Sequence, residues 1–175
     1  EDFDASFVFV GPSIAPRSQT IDFPLDFPVH CSGPLIYISL GSTIFASNVV
    51  FYRSCFQAFG GTEKRVILSA GRWTDLEFLA DPPPNFVVRP YVPQLEILKL
   101  ADVFITHGGM GSVSEGLLHG VPLIVIPQTS DQPFVAPFYH VVSDLPLPHI
   151  RHLYRFRDIS GFEDDLDALL DYFEP

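Results

Sequence analysis

Short, wholly apolar runs alternate along this chain with segments whose apolar residues recur every three to four positions. Leu35-Ile36-Tyr37-Ile38-Ser39 has no polar face, and such a run belongs to a strand covered on both sides by helices. Arg65-Val66-Ile67-Leu68-Ser69, Phe86-Val87-Val88-Arg89, Asp102-Val103-Phe104-Ile105-Thr106 and the stretch from Pro122 to Ile126 repeat the pattern. Helical spacing fills the intervals. From about Asn48 to Phe59 it places Val50, Phe51, Cys55, Phe56 and Phe59 on one side, with Gly60-Gly61 as the stop. A short helix near Pro93 carries Leu95, Leu98 and Leu100, and a further one runs from Ser112 to His119 before Gly120. Strands alternating with helices over such short connections predict an α/β domain with a doubly wound parallel sheet.

The ends of the chain depart from this rhythm. Phe7-Val8-Phe9-Val10 is a candidate buried strand stopped by Gly11-Pro12, and the Pro-bearing stretch behind it reads as connection, so 1–34 forms a linker-like lead-in. Pro137, Pro146 and Pro148 interrupt the other end. Residues 137–175 form a divergent tail, in which Ser160-x-x-Glu163 is a capping box for a terminal helix with Phe162, Leu166, Leu169, Leu170 and Phe173 on its apolar face. The length suits a single domain, here 1–175.

In a doubly wound sheet, ligands collect outside the carboxyl ends of the strands. Those ends are Gly41-Ser42, Gly71-Arg72, Tyr91 to Gln94, His107 to Ser112 and Gln128 to Gln132, so the polar candidates converge on one edge. His107-Gly108-Gly109-Met110-Gly111-Ser112 leads directly into a helix. Glycines let the backbone approach a ligand, the helix start offers N–H groups and a positive dipole end, and His107 adds a side-chain donor, a combination suited to phosphate. The same kind of turn also serves simply to pack a helix on a sheet. Glu115, about one turn further, suits a ribose diol or the helix dipole; Asp131-Gln132 suits sugar hydroxyls or an Asx turn. Tyr91 offers a flat ring for a nucleobase, or a core aromatic at a strand end.

Charge and cysteines narrow the choice. A net charge of -11 disfavours nucleic acid, whose binding relies on surplus Lys and Arg, while phosphate held by backbone N–H groups stays open. Cys31 and Cys55 make no disulfide framework and no CxxC spacing, which reads as reduced thiols in the cytoplasm. His30, His119, His140, His149 and His152 form no ligand set, so no metal is expected. No apolar run reaches the roughly 20 residues of a membrane span, and no signal peptide opens the chain.

The run YVPQLEILKLADVFITHGGMGSVSEGLLHGVPLIVIPQTSDQ, residues 91–132, closely resembles the signature of UDP-glycosyltransferases, and most nearly that of the bacterial macrolide glycosyltransferases. Phe9 to Ser13, Leu35 to Ser42 and Asn85 to Gln94 resemble the same group. The resemblance implies one half of a GT-B glycosyltransferase, the Rossmann-like C-terminal domain that binds a UDP-sugar as co-substrate, with no cofactor. It implies that Tyr91 stacks on the base, and that the Val92 backbone and Gln94 hold base and ribose. His107, Gly108, Gly109, Met110, Gly111, Ser112 and Ser42 line the diphosphate, Glu115 takes the ribose hydroxyls, and Asp131 with Gln132 takes the sugar. Many members carry Asn where this chain has Gly111. The acceptor, a small molecule such as a macrolide, and the catalytic His-Asp base belong to the family's N-terminal domain, so no catalytic residue is expected in this chain. With no initial Met and a lead-in resembling the end of an interdomain linker, the chain is expected to be a fragment that binds without turning over. A free-standing donor-binding subunit and a GT-B sugar-nucleotide epimerase are the alternatives.

Overall fold

Each apolar run within the described region becomes a strand, and all of them join one sheet. Leu35–Ser39 forms β1, Arg65–Ser69 β2, Phe86–Arg89 β3, Val103–Thr106 β4 and Leu123–Val125 β5. The helices are α1 at Val49–Phe59, α2 at Gln94–Leu98 and α3 at Met110–Leu118. The computed structural model describes Ser6, Val8, residues 12–17, 19–41 and 49–128, and Gln132. The candidate site residues Ser42 and Asp131 lie outside the described residues. So do most of the Phe7–Val10 strand, Asn48, and the whole tail with its capping box and its His149 and His152.

Every strand pair is parallel, in the order β3-β2-β1-β4-β5. This is the doubly wound sheet that the pattern predicts. The chain proceeds outward from β1 through β2 to β3, then returns to pair β4 against the other side of β1. Between β1 and β4 the winding reverses, and that switch point is where such sheets open a crevice.

Both faces of β1 are buried, as its unbroken apolar run requires. Ile36 and Ile38 pack with Phe51, Tyr52, Cys55 and Phe59 of α1. Leu35 and Tyr37 pack on the opposite side with Ile97 and Leu98 of α2 and Val113 of α3. The rings of Tyr37 and Phe104 stack at a centroid distance of 4.7 Å. Each such apolar side chain removed from water contributes about 1.5–3 kcal/mol, which makes this two-sided burial the main driving force for the sheet.

Three local expectations are corrected. The buried stripe of α1 is Phe51, Tyr52, Cys55 and Phe59, whereas Val50 is 64% exposed; one step back from Phe51 turns a residue off a stripe centred between positions 51 and 55. Leu100 lies beyond α2 and is exposed. Helix α3 begins at Met110 rather than Ser112, with Gly109 as its N-cap and Val113 N–H donating to the Gly109 carbonyl at 3.0 Å. A short 3-10 turn at Leu76–Leu79, opened by the Asp75 carboxylate accepting from Glu77 N–H, carried no periodic signal. Among the described residues no helix is long and apolar enough to cross a membrane.

The lead-in has no regular secondary structure over residues 19–28, yet Ile21, Phe23, Leu25 and Phe27 pack against the α2–α3 side of the core. Alternation at every second residue is the mark of an extended segment lying on an apolar surface. The Arg89 guanidinium sits 5.2 Å above the Phe23 ring, tying this strap to the carboxyl end of β3.

Asn85 anchors the other side. It is 1% exposed, donates from Nδ2 to the carbonyls of Phe59 at 2.8 Å and Lys64 at 2.9 Å, and accepts from Gly61 N–H at 3.3 Å. It thereby joins the end of α1 to the starts of β2 and β3. Asn85→Ala leaves buried backbone groups without their partner, so urea unfolding is expected to show a loss of about 2–3 kcal/mol.

Candidate functional site

The site begins at the paired carboxyl ends of β1 and β4. Ser39 stands opposite Thr106, so the turns that follow leave the sheet side by side. Gly41, at φ +91°, passes so close to His107 that a Cβ there would lie 2.9 Å from the ring Cε1. On the ring's other flank, a Cβ on Gly109 would lie 2.5 Å from Nε2. The imidazole is therefore seated between two glycines, and an added methyl at either would press on the ring. Its Nδ1 lies 3.5 Å from the Thr106 hydroxyl.

A cavity of about 320 Å³ opens over this edge. Of the residues singled out from the sequence, His107, Gly109, Met110, Gly111 and Ser112 line one side of it. Tyr91, Val92, Gln94 and Glu115 line the rest. The N–H groups of Gly111 and Ser112 fall in the first turn of α3, where no intrahelical carbonyl reaches them. A Cβ on Gly111 would meet nothing within 4 Å, so packing does not demand glycine there.

Two residues fall elsewhere. Gly108 is buried behind the turn: its φ of +84° and the Val125 Cγ1 2.5 Å from a would-be Cβ make it the point where the turn presses on β5, not part of the cavity wall. Gln132 is 5% exposed and its Oε1 accepts from Gln128 N–H at 2.8 Å, which ties the end of β5 to the following segment. It does not line this cavity.

Glu115 is 5% exposed, and a carboxylate so buried requires partners. The Arg17 guanidinium donates to its Oε1, and Gln94 Nε2 donates to its Oε2 at 2.8 Å. Gln94 Nε2 also lies 3.3 Å from the Ser112 hydroxyl, while its Oε1 accepts from the Tyr37 hydroxyl at 3.1 Å. Burial pushes the Tyr37 phenol far above its ordinary range, only partly offset by the Ser39 and Ser69 hydroxyls, so Tyr37 remains a donor at any physiological pH. The Gln94 NH₂ thus faces Glu115 and Ser112, while its Oε1 keeps one acceptor direction beyond the Tyr37 bond.

Tyr91 stands at the rim with 41% of its surface exposed. Its hydroxyl donates to Gln19 Oε1 at 3.0 Å, and the Arg72 guanidinium lies 5.3 Å from the ring centroid. Valine 92 is different: the Val92 side chain is in the core, leaving only its backbone for the cavity.

Arg17, Tyr37, Ser39 and Ser69 also line the cavity and were not singled out from the sequence. Ser39 and Ser69 carried a usable signal, since each is a polar residue closing a run of apolar ones. Arg17 carried none, being brought in by the strap from far along the chain. The assembled surface can hold an anionic group at the α3 terminus and His107, and hydroxyls at Glu115.

A doubly wound parallel sheet with its cavity at the switch point, edged by a glycine-rich turn into a helix, is the architecture of one half of the GT-B fold found in glycosyltransferases. Residues 56–140 match the family described as erythromycin biosynthesis protein CIII-like, C-terminal domain. The chain is 45% identical over 134 residues to the uncharacterized UDP-glucosyltransferase YdhE of Bacillus subtilis, covering 77% of this chain and 33% of the relative. To the oleandomycin glycosyltransferase of Streptomyces antibioticus it is 41% identical over 99 residues, 56% of this chain and 23% of that one. Among solved structures, the glycotransferase of kitacinnamycin superposes with a TM-score of 0.73 at 36% identity, over 94% of this chain and 40% of that one. The chain spans about a third of the length of the curated relatives it matches.

The seat of His107 yields a test. Because an added methyl at position 109 meets only the far end of a side chain, Gly109→Ala is expected to change stability by less than about 1 kcal/mol. The same substitution should displace the His107 ring, read as a shift of its imidazole resonances by NMR. Unchanged resonances would contradict the seating.

Proposed function

We propose that this chain is the donor-binding half of an inverting glycosyltransferase that passes a sugar from a UDP-linked donor to a small-molecule acceptor such as a macrolide. The observation that carries the reading is the meeting, in one cavity, of the α3 N-terminus, His107, the Glu115 carboxylate and the exposed Tyr91 ring. An anion site, a diol acceptor and a stacking surface are the three features a nucleoside diphosphate requires. The similar proteins, a UDP-glucosyltransferase and an oleandomycin glycosyltransferase, support the donor and acceptor classes.

On this reading the diphosphate rests on the N–H groups at the start of α3 and on His107. The ribose meets Glu115 and the base meets Tyr91. The acceptor hydroxyl attacks the anomeric carbon from the face opposite the diphosphate, the bond to the diphosphate breaks, and configuration inverts. A base on the partner half of the enzyme takes the hydroxyl proton. The charge that develops on the departing diphosphate is stabilised by the helix terminus and His107, which are in place before reaction. Asp131, with Gln132, is assigned to the sugar on the family resemblance, and Ser42 to the diphosphate on the same ground.

His107→Ala removes a hydrogen bond to a charged group, which is worth about 1.5–3 kcal/mol, or roughly ten- to hundred-fold in affinity. By calorimetry, UDP should weaken by that factor while uridine, which has no phosphate, binds as before. Glu115→Ala should weaken both ligands alike. Equal loss of UDP and uridine in His107→Ala would remove the phosphate assignment of the turn.

With the helix terminus and His107 assigned to the negative charge, UDP is expected to bind without a divalent cation. The Kd should be the same in EDTA and in Mg²⁺ or Mn²⁺, and strict metal dependence would count against the site as drawn.

A further inference from the structure

We propose that Arg17, carried in by the lead-in strap, is a positioning residue that holds the Glu115 carboxylate against a ribose and so sets a preference for ribonucleotides over 2′-deoxyribonucleotides. The proposal rests on the donor-site reading above and adds to it a residue from outside the sheet edge.

Glu115 needs more than one partner because it is almost fully buried. Gln94 holds Oε2 from one side and Arg17 holds Oε1 from the other. Each carboxylate oxygen has two lone-pair directions, so this clamp consumes one on each and leaves one on each for an incoming hydroxyl. Two held oxygens fix both the rotamer and the plane of the carboxylate. Gln94 is itself oriented, since the Tyr37 hydroxyl donates to its Oε1 and leaves only its NH₂ to face Glu115. The Tyr37–Gln94 side of the clamp is thus built into the sheet, and the Arg17 side depends on the strap.

The strap is anchored well enough to deliver it. Phe23 lies under the Arg89 guanidinium, Gln19 accepts from the Tyr91 hydroxyl, and Ile21, Phe23, Leu25 and Phe27 pack on the core. Ile14, Ala15 and Pro16 border a second hollow with Leu95 of α2 and Leu118 of α3, so the backbone just before Arg17 is also placed against the fold. Arg17 is the one Lys or Arg among the described residues lining the main cavity. Its side chain is about half exposed, at 49%, which puts it at the cavity mouth rather than in the core.

Discrimination follows from the clamp. A fixed carboxylate offers its two remaining lone-pair positions to a cis-diol, and a sugar lacking one hydroxyl leaves one of them unmet in a desolvated site. Without Arg17 the carboxylate is held at one oxygen only, can turn toward water, and no longer penalises the missing hydroxyl.

The test measures Kd for UDP and 2′-deoxy-UDP with the 175-residue chain, its Arg17→Ala variant and its Arg17→Lys variant. The wild-type chain should favour UDP by roughly ten-fold or more, the effect of one charge-assisted hydrogen bond. Arg17→Ala should weaken UDP by about ten-fold, leave 2′-deoxy-UDP nearly unchanged, and bring their ratio close to one. Arg17→Lys, which keeps a cation but not the fork, should recover part of the preference. An Arg17→Ala ratio equal to wild type overturns the proposal, whether both affinities fall together, as for a charge acting on the diphosphate, or neither moves, as for a strap contact alone. Wild-type chain that binds neither nucleotide would overturn the donor-site reading itself, and the inference with it.

Discussion

The pairing of β1 with β4 is the constraint on which the carboxyl edge depends. These strands are 67 residues apart in sequence at the Leu35–Asp102 contact, where the Asp102 carboxylate accepts from Leu35 N–H at 2.7 Å. Their register sets Ser39 beside Thr106, and the two chains then turn away in opposite windings. With the loops leaving side by side, the His107 ring must fit against the Gly41 backbone. Any Cβ at Gly41 would press on it, and the positive φ there already disfavours other residues. The crevice and the glycines that edge it are therefore one consequence of strand order.

A second consequence concerns polar groups in an apolar setting. Tyr37 and Glu115 are both almost fully buried, and neither is tolerable there without partners. They are satisfied in series: Tyr37 donates to Gln94, Gln94 donates to Glu115, and Arg17 closes the chain from the solvent side. Such a chain fixes side-chain orientations that a carboxylate or amide alone would not hold. Its inner members stand on β1, α2 and α3, so the shape of the site is inherited from the core. Only its outermost member comes from a segment without regular structure.

That division explains why the lead-in matters to the site although it contributes no strand to the sheet in the described region. Its apolar residues alternate and lie on the α2–α3 side of the core, while its polar residues Gln19 and Arg17 reach Tyr91 and Glu115. The strap thus touches both the aromatic rim and the carboxylate.

The alternation of strands and helices, the parallel sheet, the family resemblance and the gathering of Tyr91, His107, Ser112 and Glu115 at one edge are all legible in the sequence. These were legible because an unbroken apolar run, a period near 3.6 and a glycine-rich turn are properties of neighbouring residues, and because strand polarity sends all the following turns to one side. The alternation of Ile21, Phe23, Leu25 and Phe27 was equally local and could have marked the strap as packed. Folding alone brings the distant groups together: Arg17 with Glu115 across 98 positions, Tyr37 with Gln94 across 57, and Gly41 with His107. It also decided that Gly108 serves the core rather than the cavity and that Tyr52, not Val50, faces inward. No local pattern encodes those pairs, because each depends on strand order and on the path of an irregular segment, which are settled by the burial of the whole sheet and not by any stretch of it.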